Sequence, residues 1–390
     1  MRVLLAFDKF KDALTAPEAC AHAAAALGAG HPDWQLDLCP LADGGEGFCE
    51  ILTRAAGGTF ETHTVTGPRG APVRAALGLV QLEKIPSAAR ALLGIENRES
   101  KIGSPTTVAV IEMAAASGLA LLKPEQRDPW LANSTGTGEL LRLAARPGVD
   151  AILLGVGGSA TSDLGLCALA ALGLKFETGA HESVPLPVPL RWPDIARLGG
   201  GLPRTLLPIR IACDVSNPLL GPRGAAAIYG PQKGLRPADL PRHEAEAARL
   251  AQLLCAHASQ PASLVDRPGA GAAGGISFGL MAAAGAQLVP GAELVSAWLD
   301  LAPRLAAADL VITGEGRFDD SSLSGKGPGE VASRALALGK NVHVFAGRAA
   351  VAQPPPRLAL HSITPDGVPL DRALREAGSF LQAAVRAHIG

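Results

Sequence analysis

The stretch Ala151-Ile152-Leu153-Leu154-Gly155-Val156-Gly157-Gly158-Ser159-Ala160-Thr161-Ser162-Asp163-Leu164-Gly165 begins as a short apolar strand, loses its side chains at glycines and runs on into the Ala/Leu-rich residues 166–174. It predicts a strand, a glycine turn and a helix, the unit from which α/β proteins are assembled. Such a turn leaves N–H groups at the helix start without intrahelical partners. The aligned peptide dipoles make that end partly positive, so an anion can sit there. Ser159, Thr161 and Ser162 add hydroxyl donors. A tight connection with a Ser or Thr cap and no ligand would carry the same pattern.

Composition sets the frame around this stretch. At 390 residues the chain exceeds one typical core and is expected to split into two α/β domains. Hydrophobic residues make up 48% and charged residues 18%, the balance of a well-buried globular protein. A net charge of −1 without a basic cluster argues against nucleic acid as partner and favours a small molecule. The apolar start is interrupted at Asp8 and Lys9, and no apolar run approaches a membrane span, so a cytoplasmic protein without membrane partners is expected. The six cysteines form no Cys-x-x-Cys pair and are expected to be reduced and mostly buried.

Moving outward, residues 2–7 predict a strand that ends at Asp8-Lys9-Phe10-Lys11-Asp12, ahead of a helix opened by Thr15, Pro17 and Glu18. Ligands of open α/β sheets bind beyond the carboxyl ends of the strands, which makes Asp8, Lys9 and Lys11 candidates for an anionic substrate or a metal. A second strand, 34–40, leads through Leu41-Ala42-Asp43-Gly44-Gly45-Glu46-Gly47 into a helix at 48–56. Here Gly44 and Gly45 allow close backbone approach, while Asp43 and Glu46 could hold Mg²⁺ or accept hydroxyl hydrogen bonds. An acid-enriched helix start is the alternative. Residues 59–79 predict a hairpin around Gly67-Pro68-Arg69-Gly70, and 83–104 an inserted surface helix and loop without chemistry. A strand follows at 107–112, then a second hydroxyl-and-glycine turn at 133–139, where Thr135 and Thr137 suit helix caps.

Residues 180–208, rich in Pro, Gly and Arg, predict a loop with little core. The strand 209–212 then delivers Cys213-Asp214-Val215-Ser216-Asn217, where Asp214 could be a general base or metal ligand. Arg223 and Lys233 could neutralise phosphate charge, and Gln232 and Lys233 could equally be solvated turn residues. Gly269-x-Gly271-x-x-Gly274 fits a dinucleotide pattern but lacks a preceding strand, so close packing or another anion contact is favoured over NAD. A strand at 309–312 ends in Thr313-Gly314-Glu315-Gly316-Arg317-Phe318-Asp319. Ser324-Gly325-Lys326-Gly327-Pro328 precedes a helix at 330–338 and a strand at 341–345. Both chain ends therefore predict βα units. The expected architecture is a Rossmann-like domain with a parallel sheet built from residues 1–65 plus 290–390, interrupted by a mixed α/β domain at 66–289, with the active site in the cleft between the two.

Taken in order, Asp8-Lys9-Phe10-Lys11, Ala42-Asp43-Gly44-Gly45-Glu46-Gly47, Ile111-Glu112-Met113-Ala114, Gly136-Thr137-Gly138-Glu139, Gly157-Gly158-Ser159-Ala160-Thr161, Cys213-Asp214-Val215, Pro231-Gln232-Lys233-Gly234, the Gly269–Gly275 run and Thr313-Gly314-Glu315-Gly316-Arg317 resemble the type I bacterial glycerate kinases over nearly the whole chain. The chain departs from that pattern at Lys11-Asp12, at Ser162 and in the length of 83–104. The resemblance implies ATP- and Mg²⁺-dependent phosphorylation of D-glycerate in a two-domain α/β protein unrelated to P-loop kinases. It points to 2-phosphoglycerate as product, with 3-phosphoglycerate as the alternative. On this basis Gly157, Gly158, Ser159, Ala160, Thr161, Thr313, Gly314 and Glu315 are expected at the ATP phosphates. Asp8, Lys9, Lys11, Asp43, Gly44, Gly45 and Glu46 are expected at the substrate. Asp214 is expected to accept the hydroxyl proton or anchor Mg²⁺, Asp319 to be a second metal candidate, and Arg317 and Lys326 to offset charge on the moving phosphoryl group. The chain could assemble as a dimer. Two other classes fit less of the chain, a nicotinamide oxidoreductase resting on the Gly269 run and a catalytically silent sugar-acid sensor.

Overall fold

The computed structural model describes residues 1–95, 106–323 and 327–389. The chain divides into two compact units, Met1–Asp43 with Val295–Gly390, and Gly44–Leu294. Strands β1 (Arg2–Phe7) and β2 (Gln35–Leu38) open the chain. They are followed by β3 (Thr59–Thr66), β4 (Pro72–Gln81), β5 (Thr107–Glu112), β6 (Ala151–Gly155), β7 (Leu174–Glu177), β8 (Arg197–Gly200), β9 (Ile209–Ala212) and β10 (Gln287–Val289). The chain closes with β11 (Leu310–Asp319), β12 (Asn341–Ala350) and β13 (Leu358–Ser362).

The terminal unit is a five-stranded sheet in the order β13-β12-β11-β1-β2, parallel throughout. Val3 to Phe7 are wholly buried, as a parallel strand with both faces covered demands. Thr15 and Glu18 form the expected capping box at the start of the helix Ala16–Gly30, which packs on the helix Ala377–Ile389. The Rossmann-like sheet made by both chain ends is thus present. Its strands β11 and β12 run well past the expected 312 and 345, paired in parallel out to Asp319 and Ala350.

The middle unit holds a six-stranded mixed sheet, β10-β9-β6-β5-β4-β3, in which β3/β4 and β4/β5 are antiparallel and the rest parallel. β6 lies inside it and is buried at every position. The chain crosses between units at 43/44, earlier than the 65/66 expected. β3 pairs with β4 along its whole length, from Thr59 opposite Leu79 to Thr66 opposite Pro72. Hydrophobic pattern announces a strand but not its partner, and pairing decides the boundary.

Two local expectations need correction. Residues 180–208 carry core after all: Trp192 is fully buried with its Nε1 donating to Pro187 O at 3.1 Å, Val184, Val188 and Ile195 are buried, and β8 pairs with β7. Proline-rich composition hid those anchors. The helix expected over 166–174 ends at Ala171, because Gly173 turns at φ 112° and Leu174 begins β7. Of the 83–104 insertion, the helix Ser87–Leu93 is present, and residues 96–104 lie outside the described ones. All six cysteines are free, and all but Cys213 are buried. Among the described residues no helix is long and apolar enough to cross a membrane.

Candidate active site

In the middle unit the chain leaves β6 as a loop packed backbone to backbone on the Gly44-Gly45 turn. A Cβ at Gly155 would lie 2.6 Å from Gly44 O, and one at Gly157 would lie 2.7 Å from both Cα and N of Gly45. Gly157 N–H donates to Gly44 O at 2.9 Å. The two glycine motifs, separated by a hundred-odd residues of sequence, therefore form one surface, and glycine is required because no side chain fits between them. Gly158 is exposed at φ 71°, 3.6 Å by its absent Cβ from Glu46 Oε1. Ser159, Ala160 and Thr161 turn inward and are buried. The helix comes later than expected. It starts at Leu166, behind Gly165 at φ 73°, and spans six residues, so residues 156–165 form a folded loop rather than a helix N-terminus.

A buried polar network underlies this loop. Lys233 is 2% exposed, and its Nζ donates to Ser159 Oγ at 2.8 Å and to Thr161 O at 2.6 Å. Burial pushes its pKa down to about 7, against the pull of the Asp163 carboxylate. Asp163 is fully buried. It accepts from Ser134 N at 2.9 Å, Ser134 Oγ at 2.7 Å and Gly165 N at 3.1 Å, and Ser134 Oγ in turn accepts from Ala168 N at 3.0 Å. His243 Nε2 meets Ser162 O at 3.2 Å while the ring lies near Trp130 and Trp192. Burial pushes this imidazole down to about 4, keeping it neutral. Lys233 is thus a buried anchor and not the solvated turn residue that its surroundings in sequence allow.

Other glycine motifs serve packing. A Cβ at Gly136 would strike Thr66 O, and one at Gly138 would strike Ala168 O. Glu139 accepts from Thr66 N at 2.7 Å and Thr66 Oγ1 at 2.9 Å. In the Gly269 run, Gly271 abuts Pro218 O and Gly274 abuts Thr161 O. Leu164 N donates to Gly274 O at 3.0 Å, so the run braces the β6 loop from behind. What precedes it is the 3-10 turn Ala262–Asp266, not a strand, which removes the geometry a dinucleotide fingerprint needs. The helix Phe48–Ala55 also has its N-terminus taken: Glu112 Oε2 accepts from Gly47 N at 3.0 Å and Cys49 N at 3.2 Å. Asp214, at the end of β9, accepts from Ala292 N through both oxygens at 3.0 and 2.9 Å, which fixes its carboxylate.

In the terminal unit, charged groups gather at the carboxyl ends of β1 and β11. Asp8 Oδ1 accepts from Lys9 N at 2.7 Å, and Lys9 Nζ meets Asp43 Oδ1 at 3.3 Å. The Glu315 carboxyl is pushed up to about 7, chiefly by burial, with the negative charges of Asp8, Asp319 and Asp43 adding and a Ser322 hydrogen bond opposing. Arg317 Nε pairs with Asp319 Oδ2 at 3.0 Å on an exposed side chain. Thr313 is fully buried and its Oγ1 donates to Ala6 O at 2.5 Å, while a Cβ at Gly314 would strike Phe345 O. Of the three residues expected at phosphate here, Glu315 alone offers a partly exposed side chain. Lys11 is exposed, and Lys326 lies outside the described residues.

Within each unit, then, the expected residues converge: Gly44, Gly45 and Glu46 with Gly157 to Thr161 in one, and Asp8, Lys9, Asp43, Glu315, Arg317 and Asp319 in the other. Sequence reading overlooked Asp163, His243 and the capping role of Glu112. An acid set among Ser162, Leu164 and the small residues of a buried loop was the available signal for Asp163, since unpaired acids are rarely buried.

Both units set glycine, hydroxyl and carboxylate groups at the carboxyl ends of parallel strands, the place where α/β enzymes bind their ligands. The family model described as "Glycerate kinase family" matches residues 3–389. The chain is 37% identical to a glycerate kinase of Haemophilus influenzae over 89% of its own length and 86% of that protein. It is 37% identical to a glycerate 2-kinase of Escherichia coli K12 over 89% and 85%, and 35% identical to a glycerate kinase of Bacillus subtilis over 99% and 96%. Among solved structures it is similar to a Salmonella typhimurium LT2 protein assigned as glycerate kinase 2, with TM-score 0.73, 36% identity and coverage of 99% and 96%. The chain belongs to the glycerate kinase family, a family of phosphotransferases.

Proposed function

We propose that the protein transfers the γ-phosphoryl group of ATP to the 2-hydroxyl of D-glycerate, giving 2-phosphoglycerate and ADP, in the cytoplasm. Family membership supports the kinase reaction, and the relative named glycerate 2-kinase supports the position. The observation that carries the phosphate site is the β6 loop, rigidly backed by Gly44-Gly45 and the Lys233–Asp163 network, with Gly158 turned outward. Phosphoryl transfer asks for positioning and charge neutralisation more than for covalent chemistry, and a braced loop with an exposed glycine supports the positioning part of that reading.

In this mechanism the loop 157–161 holds the nucleotide phosphates, and Lys9 and Lys11 bind the glycerate carboxylate. Asp43 and Glu46 accept its hydroxyl hydrogen bonds. The 2-oxygen attacks γ-phosphorus in line, the bond to the β,γ-bridging oxygen breaks, ADP leaves, and the hydroxyl proton passes to the fixed carboxylate of Asp214. Arg317 and Lys326 offset charge on the moving group. Among the described residues no three carboxylate, imidazole or thiol side chains form a metal cage. Mg²⁺ needs less, since it is commonly held by one or two carboxylates together with phosphate oxygens and water. Asp319 and Asp8, which lie beside Glu315 at the carboxyl ends of β11 and β1, are the carboxylates that would hold the ion. Bound Mg²⁺ supplies neutralisation of the phosphate oxygens.

Phosphorus NMR of the protein with Mg-ATP and D-glycerate tests this. The expected product is a phosphoester coupled to one proton. Coupling to two protons would move the reaction to the 3-hydroxyl, and no glycerate-dependent ADP would overturn the kinase assignment.

A further inference from the structure

We infer that Lys233 is a positioning residue for nucleotide binding, holding Ser159 and Thr161 of the β6 loop from beneath so that the exposed Gly158 is presented to phosphate. The inference rests on the assignment of that loop to the ATP phosphates. Its basis is geometric. The Nζ lies inside the protein and donates to a side-chain oxygen and a main-chain oxygen two residues apart, spanning the inward half of the loop. Two hydrogens suffice for the two acceptors, so both contacts survive whether the amine is neutral or charged. Lys233 itself is placed by the short turn Pro231–Lys233, closed by Gly234 at φ 97°, where a Cβ would come within 2.9 Å of Arg127 O.

The loop is also held from its other side, where Ala160 N donates to Ser117 O at 2.9 Å and Leu119 N to Gly158 O at 2.8 Å, and at Gly274, which packs on Thr161 O. Those contacts are to main chain; Lys233 supplies the side-chain donor, reaching both Ser159 Oγ and Thr161 O, beside a Thr161 Oγ1 that is buried with no hydrogen-bond partner. Asp163 on the same loop and the neutral His243 on the helix Leu240–His257 are the ionisable groups that face the lysine. Asp163 is committed to Ser134 and Gly165, so it draws the ammonium electrostatically while leaving the Nζ hydrogens to the loop oxygens. A buried charge of this kind is poor value for stability alone, whereas a fixed donor under a ligand loop reduces the ordering that binding would otherwise require.

The test is steady-state kinetics on Lys233→Met, Ser159→Ala, the double variant and Gly157→Ala, with thermal melts alongside. Lys233→Met is expected to raise KM for ATP about tenfold or more while leaving KM for glycerate within about twofold, as for a donor acting on one substrate's loop. Combined with Ser159→Ala, the effects are expected to be non-additive, because the two side chains act as a unit. A fall in melting temperature with unchanged KM for ATP would overturn the inference by making Lys233 merely structural, and so would additivity. Gly157→Ala, which pushes the loop off Gly45, separates the two levels: unchanged KM for ATP in that variant would overturn the loop assignment itself. If Lys233→Met fails to fold, Lys233→Gln, which retains one donor arm, takes its place under the same expectations.

Discussion

The two units treat their polar groups in opposite ways. In the middle unit, Lys233, Asp163 and Ser134 are buried and hydrogen-bonded to one another's loop, so the charges are used up in holding backbone. In the terminal unit, Asp8, Asp43, Glu315 and Asp319 crowd at strand ends with like charge facing like, and burial with that crowding lifts the Glu315 carboxyl to about 7. The first arrangement is a finished scaffold, costly to disturb. The second sets carboxylates side by side, with Lys9 paired to Asp43 and Arg317 to Asp319, and it is where the proposed Mg²⁺ would add further neutralisation.

The sharpest way to break this contrast is Asp163→Ala. It removes the acceptor of two backbone N–H groups and a hydroxyl and leaves Lys233 without its counter-charge, so unfolding free energy should fall by about 3–5 kcal/mol, measured by urea titration. A loss below 1 kcal/mol would mean that the network is not what holds the loop. Next comes Asp214→Asn, which keeps an oxygen for Ala292 N–H but removes the charge. Turnover should drop about 100-fold or more with little change in melting temperature. Near-normal turnover would leave Asp214 as a helix cap and take it out of the mechanism.

Glu315 sharpens the comparison from the other side. Its ordinary value is 4.5 and its folded value about 7, so between these the native state keeps a proton that the unfolded chain releases. Its contribution to stability is therefore present at acid pH and lost as pH rises from 4.5 to 7. Glu315→Gln should remove that slope, so the variant should gain on the wild type as pH rises through this window. At pH 8, Mg²⁺ should raise the melting temperature of the wild type more than that of the variant, and chelation with EDTA should reverse the gain. Equal Mg²⁺ effects on both proteins would take Glu315 out of the ion's surroundings. The smallest expected effect is on stability in Arg317→Gln: the pair with Asp319 is exposed, so its loss should cost less than about 1 kcal/mol, while turnover should fall if the guanidinium offsets phosphoryl charge.

Much of this was legible in the chain. Largely apolar runs leading to Gly, Asp or Glu marked β1, β5, β6, β9 and β11, since a buried parallel strand is mostly apolar and ligands of such sheets sit just beyond it. Thr15 with Glu18 announced a helix start that the structure shows as a capping box. Less legible was which glycines are exposed and which face backbone. Gly136, Gly138, Gly271 and Gly274 each meet a carbonyl from a distant segment, and Gly157 meets the backbone of Gly45, while Gly158 beside it is exposed.

The sequence by itself determined the α/β class, the parallel sheet from both chain ends and the family, because these follow from local apolar pattern and ordered motifs. Tertiary structure alone decided that the Gly44 and Gly157 loops form one surface, that β3 belongs to the middle unit, and that Lys233 sits under Ser159 rather than in water. Each of these depends on contacts between residues tens to more than a hundred positions apart. Burial and pairing at that range set the cost of a charge or a side chain, and no short window of sequence contains it.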